Sequence, residues 1–319
     1  MREWSELSAV VTGGAGFLGS HVTRKLQDRG CTKLFVPRST EYDLCDRDAI
    51  IRLYEKTRPQ IVIHLAATVG GIAANKASPG RYFYDNALMG IQLIEYGRLF
   101  GVEKMVVVGT TCSYPKFCPT PFREEDLWNG YPDETTAPYG LAKKMLLVQG
   151  QVYRKQYGFQ TIHLLPANLF GPGDNFDYAT SHVVPALIRR FVETRERGEK
   201  KIDLWGDGSQ TREFLYVEDA AEGILLATER YDGPEPVNLG TGQETRMKDL
   251  AELIGEVTGF EGEFRWDTSK PVGQPRRCLD VSKAREFFGF EATHTLREGI
   301  QASVDWFLKH RETASRPRV

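Results

Sequence analysis

The chain has 319 residues, of which 41% are hydrophobic and 26% charged, and its formal net charge is −2. This composition is typical of a globular protein that buries a sizeable core, and the balanced charge argues against nucleic acid or an anionic membrane as the main partner. The five cysteines show no spacing typical of disulfide frameworks or zinc sites, so no metal is expected.

No apolar run reaches the roughly 18 residues of a membrane span, and the N-terminus lacks a signal-peptide layout. A cytoplasmic location without membrane attachment is therefore expected.

Short β-rich runs alternate with longer helical patterns through the first half of the chain. The predicted strands lie at 8–14, 33–37, 61–67, 104–110 and 161–170. Helical patterns occur at 21–30, 86–101 and 139–158. This alternation predicts an α/β fold with a doubly wound parallel sheet of the Rossmann type.

The texture of the sequence changes after Gly171, where turn-rich and charged segments follow. We therefore predict a dinucleotide-binding domain over residues 1–171 and a smaller α/β substrate-binding domain mainly over 172–319. The apolar run at 236–242 resembles a core strand, so the segment around 212–252 is expected to rejoin the first domain.

A glycine-rich turn follows the first predicted strand, in "VVTGGAGFLGSHV". Glycines in a strand-turn-helix frame permit a tight turn and close backbone approach, and the helix N-terminus offers free N–H groups to a pyrophosphate. The motif predicts a dinucleotide site. Its expected contacts are Gly13, Gly14, Ala15, Gly16, Phe17, Leu18 and Gly19.

The residues after the second predicted strand indicate which dinucleotide binds. Arg38 arrives where an NAD site usually has an acid, with Ser39 and Thr40 beside it. An arginine there suits a 2′-phosphate and favours NADP, with NAD as the alternative. Asp46 is a weaker candidate for contact with the adenine end.

Tyr139 and Lys143 are four residues apart, which places them on one face of a helix. An ammonium group beside the phenol is expected to lower the tyrosine pKa and make it an acid or base. Alone, such a pair is more often a surface tyrosine and a solvated lysine. Thr110, at the end of the fourth predicted strand, would add a hydroxyl that binds a carbonyl oxygen.

The sequence resembles the extended short-chain dehydrogenase/reductase family through "TGGAGFLG", "HLAA" (64–67), Thr110, the tyrosine–lysine pair and "PANLFGPGDN" (166–175). That family includes sugar-nucleotide epimerases, dehydratases and reductases. The resemblance implies that Lys143 holds the nicotinamide ribose. It also implies further cofactor contacts from Leu65, Ala66, Ala67, Pro166, Asn168, Leu169 and His182.

Within the family, Cys112 and His182 match a pair of acid/base residues that invert carbons beside a ketone. Within the family, the sequence most resembles members that carry out 3,5-epimerisation and NADPH-dependent 4-keto reduction of a GDP-4-keto-6-deoxy sugar, giving GDP-L-fucose. It implies substrate contacts from Asn168, Arg190, Trp205 and Arg212, and places the loop 270–277 near the guanosine. It further implies a homodimer formed through two long helices of each subunit.

Three alternatives to this activity remain open. The first is a relative acting on another 4-keto sugar nucleotide, of the deoxyheptose or colitose type. The second is an epimerase without net reduction. The third is a non-catalytic dinucleotide sensor, which would be expected to have lost Tyr139, Lys143 or Cys112.

Overall fold

The structure is a computed structural model, and it describes residues 3–269 and 274–314. Twelve strands are found in this part of the chain: β1 (Ser8–Thr12), β2 (Lys33–Phe35), β3 (Ile61–His64), β4 (Lys104–Val108), β5 (Gln160–Pro166), β6 (Asn168–Phe170), β7 (Lys201–Trp205), β8 (Thr211–Arg212), β9 (Phe214–Tyr216), β10 (Pro236–Leu239), β11 (Thr245–Arg246) and β12 (Glu263–Asp267).

The same residues form ten α-helices: α1 (Phe17–Asp28), α2 (Arg47–Thr57), α3 (Ile72–Ala77), α4 (Pro79–Leu99), α5 (Ala137–Tyr157), α6 (Val183–Glu196), α7 (Val217–Arg230), α8 (Met247–Thr258), α9 (Ser282–Phe288) and α10 (Leu296–Ala314). The last helix has a kink at His310, where the backbone leaves helical geometry.

Six strands form the main sheet in the order β10-β5-β4-β3-β1-β2, and every neighbouring pair is parallel. Strands β3 and β4 are buried along their whole length, as expected for a sheet covered by helices on both faces. The predicted α/β fold with a doubly wound parallel sheet is confirmed. The pairs β7–β12, β6–β9 and β8–β11 form three smaller sheets.

The prediction of one strand over 161–170 is wrong. The chain divides at Ala167 into β5, which lies in the main sheet, and β6, which pairs with β9. Pro166 has no N–H to donate, and the Ala167 N–H donates instead to the Leu239 carbonyl of the neighbouring strand β10, at 2.8 Å. The polypeptide therefore leaves the main sheet here and enters the second part of the molecule.

Apolar residues from α6, α8 and α10 form a separate core away from the main sheet. Phe191 is fully buried at its centre, and its ring makes edge contacts with Phe260 and Phe264 at centroid distances of 5.4 and 5.3 Å. Replacing such a ring with alanine typically costs about 3–5 kcal/mol. Phe17 and Leu18, which follow the end of β1 in the chain, pack against this second core.

The order of the main-sheet strands determines where a ligand crevice opens. The chain runs from β1 to β2 on one side and then crosses to β3 on the other side of β1. Such a switch point opens a crevice beyond the carboxyl ends of the strands. Within the described ranges, no helix is both long and apolar enough to cross a membrane.

Candidate active site

The glycine-rich turn lies at this switch point, between the end of β1 and the start of α1. Gly13 has a positive φ of 70°, and a Cβ there would lie 2.7 Å from the Ala66 backbone nitrogen. A Cβ at Gly19 would lie 2.0 Å from the Gly13 carbonyl oxygen. The turn therefore requires glycine at both positions. Its tight path leads directly into the N-terminus of α1, whose cap is Gly16.

This turn fits the pyrophosphate of a dinucleotide. The N-terminus of the 12-residue helix α1 has no side-chain cap, so its first N–H groups are available to an anion. A Cβ at Gly16 would meet only the Gly13 oxygen, at 3.2 Å, which leaves its outer side open. Gly14 and Ala15 complete the turn. Phe17 and Leu18 are partly buried against the second core.

The segment after β3 forms the opposite wall of the crevice. The Leu65 N–H donates to the Thr12 carbonyl at 3.1 Å, and the Ala66 N–H lies 3.4 Å from Thr12 Oγ1. These bonds hold the segment that contains Ala67 against the glycine-rich turn. Across the sheet, Pro166 ends β5. Asn168 is exposed and donates from Nδ2 to the Glu213 carbonyl at 2.9 Å, with Leu169 next to it in β6.

Arg38 and Asp46 differ in their surroundings. The Arg38 side chain is exposed just after β2, and no carboxylate in the described part of the chain forms an ion pair with it. It is therefore a cation available to a bound phosphate. Asp46 caps α2, because its carboxylate accepts the Asp48 N–H at 3.0 Å. That role in the fold accounts for Asp46 without a ligand, and its contact with adenine stays a prediction.

The structure brings Thr110, Cys112, Tyr139 and Lys143 together, and we call these four residues the reactive cluster. Helix α5 begins with Ala137 and Pro138, so that Tyr139 lies in its first turn and Lys143 one turn later. The Thr110 hydroxyl lies close enough to the Tyr139 phenol to influence its pKa. Thr110 Oγ1 also accepts the Cys112 N–H at 3.1 Å, which fixes the short turn after β4.

Gly140 explains how the helix approaches Cys112 so closely. A Cβ at position 140 would lie 2.2 Å from the Cys112 carbonyl oxygen, and the Ser113 hydroxyl donates to the Gly140 carbonyl at 2.9 Å. The sequence analysis did not single out Gly140. A glycine directly after the tyrosine could have predicted this close approach, because a residue with a Cβ would keep the two backbones apart.

The expectation that Lys143 lowers the tyrosine pKa is wrong for the free protein. Burial raises the pKa of Tyr139 and the charge of Cys112 raises it further, while the nearby Thr110 hydroxyl lowers it. Burial also lowers the pKa of Lys143, to about 8. Desolvation disfavours the charged forms of both side chains. Tyr139 is therefore protonated near neutral pH.

His182 approaches the crevice from the second part of the molecule. It is the residue before α6 and retains solvent exposure, although the surrounding protein lowers the pKa of its imidazole. A Cβ at Gly71 would lie 3.2 Å from the Ser181 carbonyl oxygen, so the His182 segment packs on the loop after β3. Within the described residues, His182 makes no hydrogen bond to Cys112 or Tyr139.

The cationic and aromatic side chains that the family resemblance assigns to the substrate lie in this second part of the molecule and are exposed or partly exposed. Arg190 donates to the Asp203 carbonyl at 2.8 Å, and Trp205, at the end of β7, is 65% exposed. Arg212 donates to the Gln274 carbonyl at 2.8 Å. Burial, together with the charge of Arg277, lowers the pKa of Arg212 to about 10.

Arg277 is a candidate ligand-binding residue that the sequence analysis did not choose. It lines a cavity together with Thr111, Asn168 and Glu213, and its charge acts on Arg212. Residues 270–273 of the predicted guanosine loop lie outside the described residues. We call Arg190, Trp205, Arg212 and Arg277 the nucleotide-facing group, after the substrate contacts that the family resemblance predicts for the first three. Its arginines have no carboxylate partner in the described ranges, so they are available to phosphate oxygens.

The glycine-rich turn lies at a switch point, Thr110 follows the end of β4, and Tyr139 and Lys143 lie one turn apart in α5. Together these features define a short-chain dehydrogenase/reductase type of enzyme. The model of the NAD dependent epimerase/dehydratase family matches residues 9–240. The chain belongs to this family.

Three relatives refine this class. GDP-L-fucose synthase 1 of Arabidopsis thaliana is 40% identical over 94% of this chain and 93% of its own. GDP-L-colitose synthase of Yersinia pseudotuberculosis is 31% identical over 96% of this chain and 99% of its own. The crystal structure of a GDP-L-fucose synthetase from Naegleria fowleri bound to NADP superposes with a TM-score of 0.89 at 31% identity, covering 98% of this chain and 97% of that one.

Proposed function

We propose that this protein converts GDP-4-keto-6-deoxy-D-mannose to GDP-L-fucose by epimerising C3 and C5 and reducing the C4 ketone. The observation that carries the proposal is the position of a thiol residue, Cys112, whose backbone packs against Gly140, directly after the tyrosine of a reductase set. A simple reductase has no use for a second acid/base group at that place. The relatives named as GDP-L-fucose synthases support the choice of substrate.

The epimerisation uses the ketone to acidify its neighbouring carbons. Thr110 and Tyr139 hydrogen-bond the C4 oxygen and stabilise the negative charge that develops there. Cys112 removes the proton from C3 or C5, and His182 returns a proton to the opposite face of the same carbon. The lowered pKa of His182 leaves its imidazole mostly neutral in the free protein, so it must gain the proton that it donates.

The reduction uses the same tyrosine as a proton donor. The raised pKa of Tyr139 keeps the phenol protonated, which suits donation to the C4 oxygen. NADPH, when bound, supplies the hydride to C4. Lys143 lies one helical turn from Tyr139, where it holds the nicotinamide ribose and stabilises the phenolate left after proton transfer.

The cofactor and the sugar nucleotide bind on opposite sides of this cluster. The glycine-rich turn holds the pyrophosphate of NADPH, and Arg38 binds its 2′-phosphate. The nucleotide-facing group holds the diphosphate and base of the substrate, with Asn168 between the two ligands. We also propose that residues 1–171 form the dinucleotide-binding domain and that residues 172–319 mainly form the substrate-binding domain. The segment around 212–252 would rejoin the first domain.

The proposal includes a homodimer in the cytoplasm. Helix α5 presents Met145, Val148 and Val152, which are 40%, 41% and 49% exposed and lie along one face of the helix. Helix α4 packs beside it and adds exposed apolar residues, so the pair suits burial against a second copy. All five cysteines are free thiols, which is typical of a reducing compartment.

The test is a reaction of the purified protein with GDP-4-keto-6-deoxy-D-mannose and NADPH in D₂O. We expect loss of NADPH absorbance and a GDP-L-fucose product that carries deuterium at C3 and C5. Omitting NADPH should leave the deuterium exchange and abolish the reduced product. A protein that oxidises NADPH without exchange at either carbon would contradict the epimerase half of the proposal.

A second candidate is the same chemistry on another 4-keto sugar nucleotide. It is favoured by the nature of the nucleotide-facing group, whose charged members suit a diphosphate rather than a particular sugar. A panel of GDP-4-keto sugars, including a 3-deoxy sugar of the colitose type, separates the two. A higher kcat/KM for any of them than for GDP-4-keto-6-deoxy-D-mannose would replace the first proposal.

A further inference from the structure

His21 lies in α1, directly behind the glycine-rich turn, and bonds through both of its ring nitrogens. Nδ1 lies 2.6 Å from Glu218 Oε1 in α7, and Nε2 lies 2.9 Å from the Pro172 carbonyl oxygen. The His21 side chain is only 12% exposed. One imidazole thus joins the helix of the cofactor turn, the first turn of α7 and the segment that leaves β6.

The two partners determine the protonation state of this imidazole. A carboxylate oxygen and a peptide carbonyl oxygen both accept hydrogen bonds, whereas a neutral imidazole carries only one N–H. Both bonds can form together only if His21 is an imidazolium with two donors.

The alternative, in which Glu218 carries the proton, conflicts with its other partners. Arg24 Nη2 lies 2.5 Å from Glu218 Oε2 and Lys25 Nζ lies 3.6 Å from it. Hydrogen bonding to His21 and the nearby positive charges lower the pKa of Glu218 to about 2. An ionised carboxylate can only accept, so the N–H of this hydrogen bond is donated by His21 Nδ1.

The position of this cation connects the two walls of the proposed NADPH site. The N-terminus of α1 faces the pyrophosphate, and the segment held at Pro172 begins with Asn168 and Leu169, which are expected to contact the nicotinamide end. Gly173 follows with a positive φ of 84°, and a Cβ there would lie 4.0 Å from His21 Nε2. The chain bends around the imidazole at this point.

We propose that His21 is a positioning residue. Its imidazolium holds the segment after β6 that contains Pro172 at a fixed distance from α1, and so sets the affinity for NADPH. It touches neither the cofactor nor the substrate and acts through the two walls that it joins. The inference rests on the proposed NADPH-dependent function.

The test compares His21→Gln with a matched control, a second histidine that pairs with a carboxylate of the same helix, α7. His294 forms a second histidine–carboxylate pair with α7, with Nδ1 2.8 Å from Asp219 Oδ1, but it joins α7 to the segment before α10 instead of to the site. Glutamine is neutral and cannot reproduce both charge-assisted bonds of His21. We expect the NADPH Kd, measured by calorimetry, to rise about tenfold in His21→Gln and to stay unchanged in His294→Gln.

Two further readouts separate positioning from general destabilisation. Glu218→Gln should weaken NADPH binding as His21→Gln does, and the double variant should be no weaker than either single variant, because all three break one unit. The KM for NADPH should rise while kcat stays near that of the unchanged protein. In the wild-type protein, ¹⁵N spectra should show both ring nitrogens of His21 as N–H donors.

Each contrary result has a distinct meaning. Equal NADPH affinity in His21→Gln and the unchanged protein, equal weakening in His294→Gln, or a singly protonated His21 would overturn the inference and leave the proposed function standing. Failure of the unchanged protein to bind NADPH would overturn the proposed function, and this inference with it. If His21→Gln does not fold, Glu218→Gln and the ¹⁵N spectra still decide.

Discussion

The proposed function places the reactive cluster and the nucleotide-facing group on opposite sides of one crevice, and the two groups are built differently. The four residues of the cluster lie on a strand end and a helix whose backbones meet at Gly140, with Lys143 only 3% exposed. The nucleotide-facing group lies on helix α6, short strands and the segment around Gln274, and Trp205 is 65% exposed.

This difference follows from what each side must do. Proton transfer needs groups held within fractions of an ångström, which two packed backbone elements provide. A diphosphate and a base need charge and surface area, and arginines that remain partly in water avoid the full cost of burying an unpaired cation. Changes in the cluster should therefore act on kcat, and changes in the nucleotide-facing group on KM.

The largest effect is expected for Tyr139→Phe. Removing the phenol hydroxyl removes the proton donor for C4, so kcat for reduction should fall by about 10³-fold, within the usual range for a general acid. The KM for the sugar nucleotide should change little. The rate of NADPH oxidation at saturating substrate measures the change.

Tyr157→Phe is the matched control for this prediction. Tyr157 lies at the other end of α5 and is 47% exposed, so its hydroxyl has no role in the crevice. A loss of less than about tenfold in Tyr139→Phe would show that another group donates the proton.

The next effect concerns the thiol of the cluster. In Cys112→Ser the hydroxyl is a far weaker base than a thiolate, so deuterium exchange at C3 and C5 should slow by about 10²-fold or more. Cys118→Ser serves as the control because it changes a thiol that lies outside the reactive cluster. Mass spectrometry of the recovered substrate measures the exchange. Unchanged exchange in Cys112→Ser would assign the base to another residue.

A smaller effect is expected on the opposite side of the crevice. Arg277→Ala removes one charge from the cavity that also includes Thr111 and Asn168, so the KM for the sugar nucleotide should rise by about 50-fold, as for a lost charge-assisted hydrogen bond. The kcat should remain within a few-fold. Arg277→Ala should also weaken the binding of GDP alone, which calorimetry can measure.

Arg276→Ala is the control for the loss of an arginine in this segment. The Arg276 guanidinium pairs with Glu244, with Nε 3.0 Å from Oε2, and is therefore already neutralised. If Arg276→Ala and Arg277→Ala raise the KM equally, the segment acts through its overall charge. If Arg277→Ala instead lowers kcat with KM unchanged, the division between the two sides of the crevice does not hold.

The sequence predicted the main sheet because its strands are apolar runs bounded by glycines and separated by helical patterns. It misplaced the boundary at 161–170, because the break at Ala167 depends on a bond to Leu239, which lies far away in the chain. Such a pairing has no local signal. The same holds for Arg277, whose relation to Arg212 arises only when two distant segments meet.

The reactive residues were predictable for a different reason. Tyr139 and Lys143 lie four apart in a helix and Cys112 follows Thr110 by two, so each pair is local. The family resemblance supplied the expectation that the two pairs act together. Their ionisation was not predictable. It depends on burial, which a sequence pattern does not reveal, and burial reversed the expected direction of the tyrosine pKa.

The smallest expected effect tests this burial directly, through stability. Burial lowers the pKa of Lys143 to about 8 from an ordinary value of 10.5. Between these two values the unfolded chain keeps a proton that the folded chain has released, so folding becomes more favourable as pH rises through this window. Relative to Lys143→Met, the free energy of unfolding of the unchanged protein should therefore rise by no more than about 2 kcal/mol between roughly pH 7 and pH 9.5.

Urea unfolding at the two pH values measures this difference, and Lys155→Met, at an exposed position of the same helix, should show no such change. If the difference in free energy of unfolding between the wild-type protein and Lys143→Met does not change with pH, the amine of Lys143 is solvated. The reactive cluster would then resemble the nucleotide-facing group in its electrostatics. A gap that closes with rising pH means that the fold gives up stability to hold a charge next to Tyr139, where the proposed reaction leaves a phenolate.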